Sequence, residues 1–332
     1  MRSVEGRASR VPGGIASAPK LPDRHHSPVM SGRIVVGTSS WADPGFVKDW
    51  YPPKLPAKER LPFYSQRFEA VELNASFYAI PDRNVVRGWV DATPDHFTFD
   101  VKVHRALSRH SAQIDSLPPD LRDDVKTNER GRVLLTEELE ETLARRLVEE
   151  TAPLAEAGKL GAFLVQMTPA FAPGKRELSE LDNLVSVLRS RPVAIELRHR
   201  AWVSKDRIDA TLGWFSDRGV AFVCVDAPPG EHVPIMPPID AATRDDLAYF
   251  RIHGRNTDGY MTGKTVAERF GWRYEDHELE EIGERTRALA ESAGEVHVLF
   301  NNNRDDDAPT AALRFRALLG QEPTAEEQLT LE

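Results

Sequence analysis

The sequence predicts an α/β fold: a single (β/α)8 TIM-like barrel with a disordered N-terminal tail. Three observations predict it. Beyond residue 30, eight short runs rich in β-branched and aromatic residues recur, each bounded by turn residues. Five of the seven intervals between their starts are close to the ~30 residues of one βα unit. Most runs are apolar almost throughout rather than alternating, as in parallel strands covered on both faces.

The runs fall at 34–38, 69–73, 97–102, 162–166, 193–197, 220–225, 247–253 and 296–300. Between them lie amphipathic stretches. Leu139, Leu143, Leu147 and Leu154 form an apolar stripe amid alternating charge, so a helix is expected over 139–157, with Pro153 kinking it or starting a new one. Residues 178–188 and 311–319 read as similar helices. Two intervals are long. Residues 103–160 include a polar, Pro- and Asp-rich part at 117–127, expected to be an excursion over the mouth or an extra helix. Residues 254–294 open with a loop carrying Tyr260, Lys264, Trp272 and Tyr274. Such loops serve as functional lids or as plain insertions. A doubly wound sheet is the rival architecture, but no G-x-G-x-x-G or G-x-x-x-x-G-K-[ST] follows any run.

Composition narrows the function classes. The chain has 332 residues, 40% hydrophobic and 29% charged, as in ordinary globular proteins. No stretch reaches the ~20 apolar residues of a membrane span. The net charge of −9 speaks against a surface that tracks a phosphate backbone, so nucleic acid is not the expected partner. The single cysteine, Cys224, lies inside an apolar run and reads as core; a cytoplasmic location is expected. Residues 1–30 read as a disordered basic tail with no secretory core, in which His25 and His26 are expected to be solvated. Met30 is an alternative start. Residues 31–320 are the barrel and 321–332 an acidic C-terminal tail.

In a barrel, residues at the carboxyl ends of the strands face the catalytic side. Those positions hold Trp41 after run one, Glu72 and Asn74 at run two, and Lys102 at run three. Gln166 closes run four, Glu196, Arg198 and His199 run five, and Asp226 run six. Arg251 and His253 mark run seven, and Asn301 and Asn302 run eight. Charges inside apolar strands are costly unless paired or used, and Glu72, Glu196 and Arg251 are the clearest cases. Buried ion pairs that only hold structure are the alternative for each of them. Trp202, after the fifth run, is expected to serve as a platform for a ring rather than as a plug.

The same motifs resemble a known family. GTSSWADPGFVKDWYPPKLP (37–56), VELNASFYAIP (71–81), FDVKVHR (99–105), VQMTPAF (165–171), IELRHRAW (195–202), FRIHGR (250–255) and LFNNN (299–303) are similar, in order, to the signature segments of DUF72, the YecE-like family. The resemblance spans residues 34 to about 319 and implies a TIM barrel with no established activity. Ser40, Asp43, Phe46, Ala75 and the Arg304–Asp307 run depart from the pattern, which bears on substrate details near runs one and eight.

An enzyme acting on a small polar or anionic ligand is the expected function, hydrolase-like first. Glu72, Glu196 and Asp226 would be general acid and base, with Glu196 and Asp226, on neighbouring strands, the better pair. Lys102 and His253 complete the catalytic set, and Lys102 is expected to stay protonated beside two carboxylates and act electrostatically. Trp41, Asn74, Gln166, Arg198, His199, Trp202, Arg251, Asn301 and Asn302 would bind substrate. No cofactor is expected. The alternatives are a divalent-metal-assisted sugar or sugar-phosphate isomerase or lyase using Glu72, Glu196, Asp226 and His253, and a non-catalytic binder of a small anion or a nucleic-acid end.

Overall fold

The computed structural model describes residues 31–321, so the expectations for the two tails lie outside the described residues. Eight strands close into a barrel in the order β1 to β8 with every neighbouring pair parallel: β1 (Arg33–Thr38), β2 (Ala70–Leu73), β3 (Thr98–Lys102), β4 (Leu160–Gln166), β5 (Val193–Glu196), β6 (Val220–Asp226), β7 (Leu247–Ile252) and β8 (Glu295–Phe300). Each predicted run corresponds to one strand. Closure leaves no edge strand exposed to pair with another chain.

The helices are α1 (Ala57–Ser65), α2 (Arg83–Asp91), α3 (Glu137–Glu156), α4 (Asp182–Leu188), α5 (Ile208–Asp217), α6 (Thr257–Thr262), α7 (Val266–Phe270), α8 (Asp276–Ala290) and α9 (Asp307–Leu318). Thr136 starts α3 by accepting a hydrogen bond from the Leu139 N–H at 3.2 Å. Leu143, Leu147 and Leu154 are buried on one stripe of α3. Pro153 neither kinks the helix apart nor begins a new one. It removes a backbone donor, and the Glu149 carbonyl four residues back instead accepts from Arg83 Nη1 at 2.8 Å. The 178–188 helix begins with a 3-10 turn (Leu178–Leu181) before α4. The 117–127 stretch is an excursion and not an α-helix, with a 3-10 turn at Pro119–Leu121 and antiparallel bridges pairing Gln113 with Arg132 and Thr127 with Val133.

Register decides which side chains enter the barrel. Glu72 pairs with Asp100, Lys102 with Leu164, Gln166 with Glu196, Val225 with Arg251, and Tyr249 with His297. Paired residues in parallel strands share a face, and successive residues alternate. Tyr249, Arg251 and His253 therefore point inward, as do Glu72, Asp100 and Lys102, while Phe250 and Ile252 meet the helices. A column of polar groups threads the interior among apolar ones such as Leu164, Val225 and Leu299. Low in the barrel, buried His297 bonds Asp100 at 2.8 Å and Glu295 at 2.6 Å. Gly161 makes room for them: a Cβ there would lie 2.6 Å from Asp100 Oδ1.

Candidate active site at the barrel mouth

Above His297 the column becomes an ion network. Arg251 donates from Nε to Glu72 Oε2 at 2.9 Å and from Nη2 to Glu72 Oε1 at 2.7 Å, a bidentate clamp. Its Nη1 donates to Glu196 Oε2. All three side chains are fully buried. The Tyr249 hydroxyl donates to Glu72 Oε2 at 3.3 Å. Glu196 Oε1 also accepts from Gln166 Nε2 at 3.1 Å and Arg198 Nη1 at 3.2 Å, and lies 3.2 Å from His253 Nε2. Burial would raise the Glu196 carboxyl, but Arg251, His253 and Arg198 outweigh it and hold the group well below the usual carboxylate range. Glu196 is an anion here, so it cannot serve as a general acid.

His253 is held from both sides. Asn301 Nδ2 lies 3.0 Å from His253 Nδ1 and donates to it, so Nε2 carries the proton toward Glu196. Burial lowers the His253 pKa, with Glu196 opposing, and the ring is neutral.

Lys102 stands apart. Its Nζ donates to Asn74 Oδ1 at 3.1 Å and lies 4.7 Å from the centre of the Phe77 ring. Asn74 is itself anchored by donating to the Ser39 carbonyl at 2.5 Å. Among the described residues no carboxylate lies within ion-pair distance of Lys102, because Glu72 and Glu196 are taken by Arg251. Burial and then the Arg251 charge bring its pKa down to about 8. The expected carboxylate contacts are absent, but a pKa of about 8, to which Glu72 and Glu196 contribute upward, keeps Lys102 mostly protonated at neutral pH as expected.

Two further groups, unmarked by the strand-end reading, join the mouth. Tyr260, at the middle of α6, accepts from Arg198 Nη2 at 2.6 Å and donates to the Pro234 carbonyl at 3.3 Å. Only about 10 Å3 of cavity remains between Glu196, Arg198, His253 and Tyr260, room for about one water. His110 packs edge-on against Phe77 at 5.1 Å and shares Nδ1 with the Ser108 hydroxyl at 3.0 Å. Burial, then the Lys102 charge, holds it neutral with a pKa of about 4. His110 follows a turn, so no periodic signal marks it; Tyr249 is marked by its two-residue spacing from Arg251 and His253.

Other expected site residues serve elsewhere. Asp226 follows inward-facing Val225 and so lies on the outer face. There it accepts from Arg255 Nη2 at 2.9 Å, from Arg285 Nη1 at 3.3 Å and from the Tyr274 hydroxyl at 2.6 Å. The Glu196–Asp226 pair is therefore removed: neighbouring strands do not help when the two positions face opposite ways. Trp202 is a plug and not a platform, 4% exposed, stacked on Phe171 at 5.6 Å with its N–H on the Phe171 carbonyl at 2.8 Å. Trp41 packs edge-on against Trp89 and outward-facing Phe99 at 5.6 and 6.5 Å, outside the inner column. His199 caps its own turn by accepting from the Ala201 N–H at 3.3 Å, and Asn302 donates to the Trp272 carbonyl at 2.8 Å. Among the described residues, no three His, Cys, Asp or Glu side chains form a group able to hold a metal. No helix there is long and apolar enough to cross a membrane.

Glu72, Asn74, Lys102, Gln166, Glu196, Arg198, Arg251, His253 and Asn301 thus converge from six strands. The family model described as "Protein of unknown function DUF72" matches residues 35–330 of this chain. The chain belongs to the DUF72 family. The UPF0759 protein YunF of Bacillus subtilis is 32% identical over 292 residues, covering 86% of this chain and 94% of YunF. The UPF0759 protein YecE of Escherichia coli K12 is 28% identical over 198 residues, 59% of this chain and 60% of YecE. A crystal structure of a DUF72 family protein from Enterococcus faecalis V583 superposes with a TM-score of 0.71 at 26% identity, covering 87% of this chain and 96% of that one. A DUF72 family protein from Thermotoga maritima MSB8 gives a TM-score of 0.69 at 24% identity, covering 87% and 99%. These likenesses agree with the closed barrel.

Proposed function

We propose that this DUF72 protein is an enzyme that binds a small polar anion at the carboxyl end of the barrel and works on it by proton transfer. The observation that carries the reading is the charge of the mouth. In a chain of net charge −9, three cations (Lys102, Arg198 and Arg251) face two carboxylates there, and Arg251 already satisfies both. Lys102 and the outer edge of Arg198 are left to attract an anion, and low dielectric strengthens that attraction.

Two-carboxylate hydrolysis fits the mouth less well. It needs one protonated and one ionised carboxyl flanking the substrate. Glu196 is held ionised, Glu72 is clamped by the same guanidinium, and Asp226 faces outward. Isomerase- or lyase-like chemistry, which needs a group poised to exchange a proton near neutral pH, suits Lys102, whose pKa is brought down to about 8.

The test is a thermal-shift panel of inorganic phosphate, pyruvate and sugar phosphates on the full chain, repeated on Arg198→Ala and Glu196→Gln. An anion that binds the native state raises Tm. Arg198→Ala should abolish that rise. Glu196→Gln should keep binding while losing any turnover found with the stabilising anion. A panel in which no anion shifts Tm, or shifts that survive Arg198→Ala, would refute the reading.

A further inference from the structure

The geometry points to Lys102 as a nucleophilic amine that forms a covalent imine with the aldehyde or ketone carbonyl of the anionic substrate, an inference that rests on the anion-binding reading above.

A contrast within the chain carries it. Lys159 is also buried, and its ammonium is fully used, donating to the Val90 carbonyl at 2.8 Å, the Thr93 carbonyl at 2.7 Å and Thr93 Oγ1 at 3.2 Å. Lys102 is 8% exposed, yet among the described residues its Nζ has one acceptor, the neutral Asn74 amide oxygen. An ammonium has three protons to place, so a buried one with a single neutral acceptor is costly to keep charged. The carboxylates that would stabilise the charge, Glu72 on β2 and Glu196 on β5, are bound to Arg251 of β7. Arg198, just beyond β5, adds a second like charge, and His253 and His110 are neutral. Desolvation and a neighbouring cation are the two devices that free a lysine amine for attack on carbonyls. Asn74 and Phe77, the two groups against Nζ, are both only half-buried, so the cover over the amine is one residue thick on that side.

The step balances without an oxidant. The neutral amine nitrogen attacks the carbonyl carbon, a C–N bond forms, and the carbonyl oxygen becomes a hydroxyl. That oxygen then leaves as water, carrying the two hydrogens that the nitrogen gives up. Water carries them from nitrogen to oxygen, beside a neutral His110 that lies edge-on to the Phe77 ring under Lys102.

The full chain would be incubated with pyruvate, or with hydroxyacetone as its neutral counterpart, then reduced with sodium borohydride and mapped by peptide mass spectrometry. A reduced pyruvate adduct is expected at Lys102, formed at least ~10-fold faster than at any other lysine and faster than the hydroxyacetone adduct. Its rate should rise through a midpoint near pH 8, against ~10.4 for an ordinary lysine. Mapping on the native sequence does not depend on any variant folding, and Lys102→Arg, which keeps the charge, should lose this adduct alone. Labelling spread evenly over exposed lysines, with no excess at Lys102, overturns the imine. If pyruvate or another anion still raises Tm in that case, the anion pocket stands without it; if none does, both readings fall.

Discussion

Arg251 sits between two carboxylates that are as fully buried as it is, so its removal is more damaging than the loss of one contact. Arg251→Met leaves Glu72 and Glu196 buried without their cation and should cost about 3–5 kcal/mol, read as a lower denaturant midpoint. Replacing all three by apolar residues (Glu72→Leu, Glu196→Leu, Arg251→Met) should recover only part of that loss, because Arg198, Gln166 and His253 then lose the Glu196 acceptor. His297 gives a pH prediction. Burial pushes its pKa down, but Asp100 and Glu295 overcome this and raise it to about 10. A raised folded-state pKa stabilises while the ring is charged. Its contribution is complete below the unfolded value of about 6.5 and is lost as pH climbs through about 10. The His297 ring nitrogens should show imidazolium 15N shifts at pH 8, while His110 and His253 show neutral ones; a neutral His297 at pH 8 would contradict the assignment. Residue by residue, the site was legible wherever a charge interrupts an apolar strand on its inner face, as at Glu72, Lys102, Glu196 and Arg251. It was not legible at Asp226 or Trp202, whose residue types suit catalysis but whose side chains point to the outer layer or into the core.

Secondary-structure elements differ in how much holds them. The start of α3 rests on one side-chain cap, so Thr136→Ala should lower stability by about 1 kcal/mol in chemical denaturation. The segment from Asn256 to Trp272 is built differently, from helices of six and five residues, and α6 buries none of its residues. Its tie to the mouth is the Arg198–Tyr260–Pro234 chain of hydrogen bonds. Amides of α6 and α7 should exchange with deuterium far faster than those of β7 and β8, and Tyr260→Phe should speed them further while leaving the strands unchanged. At this scale the sequence marked the segment as a loop carrying aromatics, a functional lid or a plain insertion. It could not distinguish Tyr260, which reaches Arg198, from Trp272, whose N–H bonds Glu278 at 3.2 Å on the outer side.

Over the whole molecule, closure of the barrel removes every strand edge, and Cys224 in β6 reports on the outer layer. The thiol is fully buried, and burial pushes its pKa up to about 12. It should resist thiol reagents in the native state, because it faces the outer layer and is covered there by the segment carrying the Ala241 carbonyl. Fast labelling under native conditions would contradict that burial. The periodicity of apolar runs by itself determined eight parallel strands, their spacing and the end of the barrel where polar groups gather, because burial on both faces of a sheet imposes continuous apolarity on the chain. Only the tertiary structure decided which polar groups meet. Facing follows from register between strands that lie far apart in sequence. Opposite facing separates Asp226, bound to arginines outside the sheet, from Glu196 inside it, and Arg251 leaves Lys102 without a carboxylate by taking both that the mouth supplies.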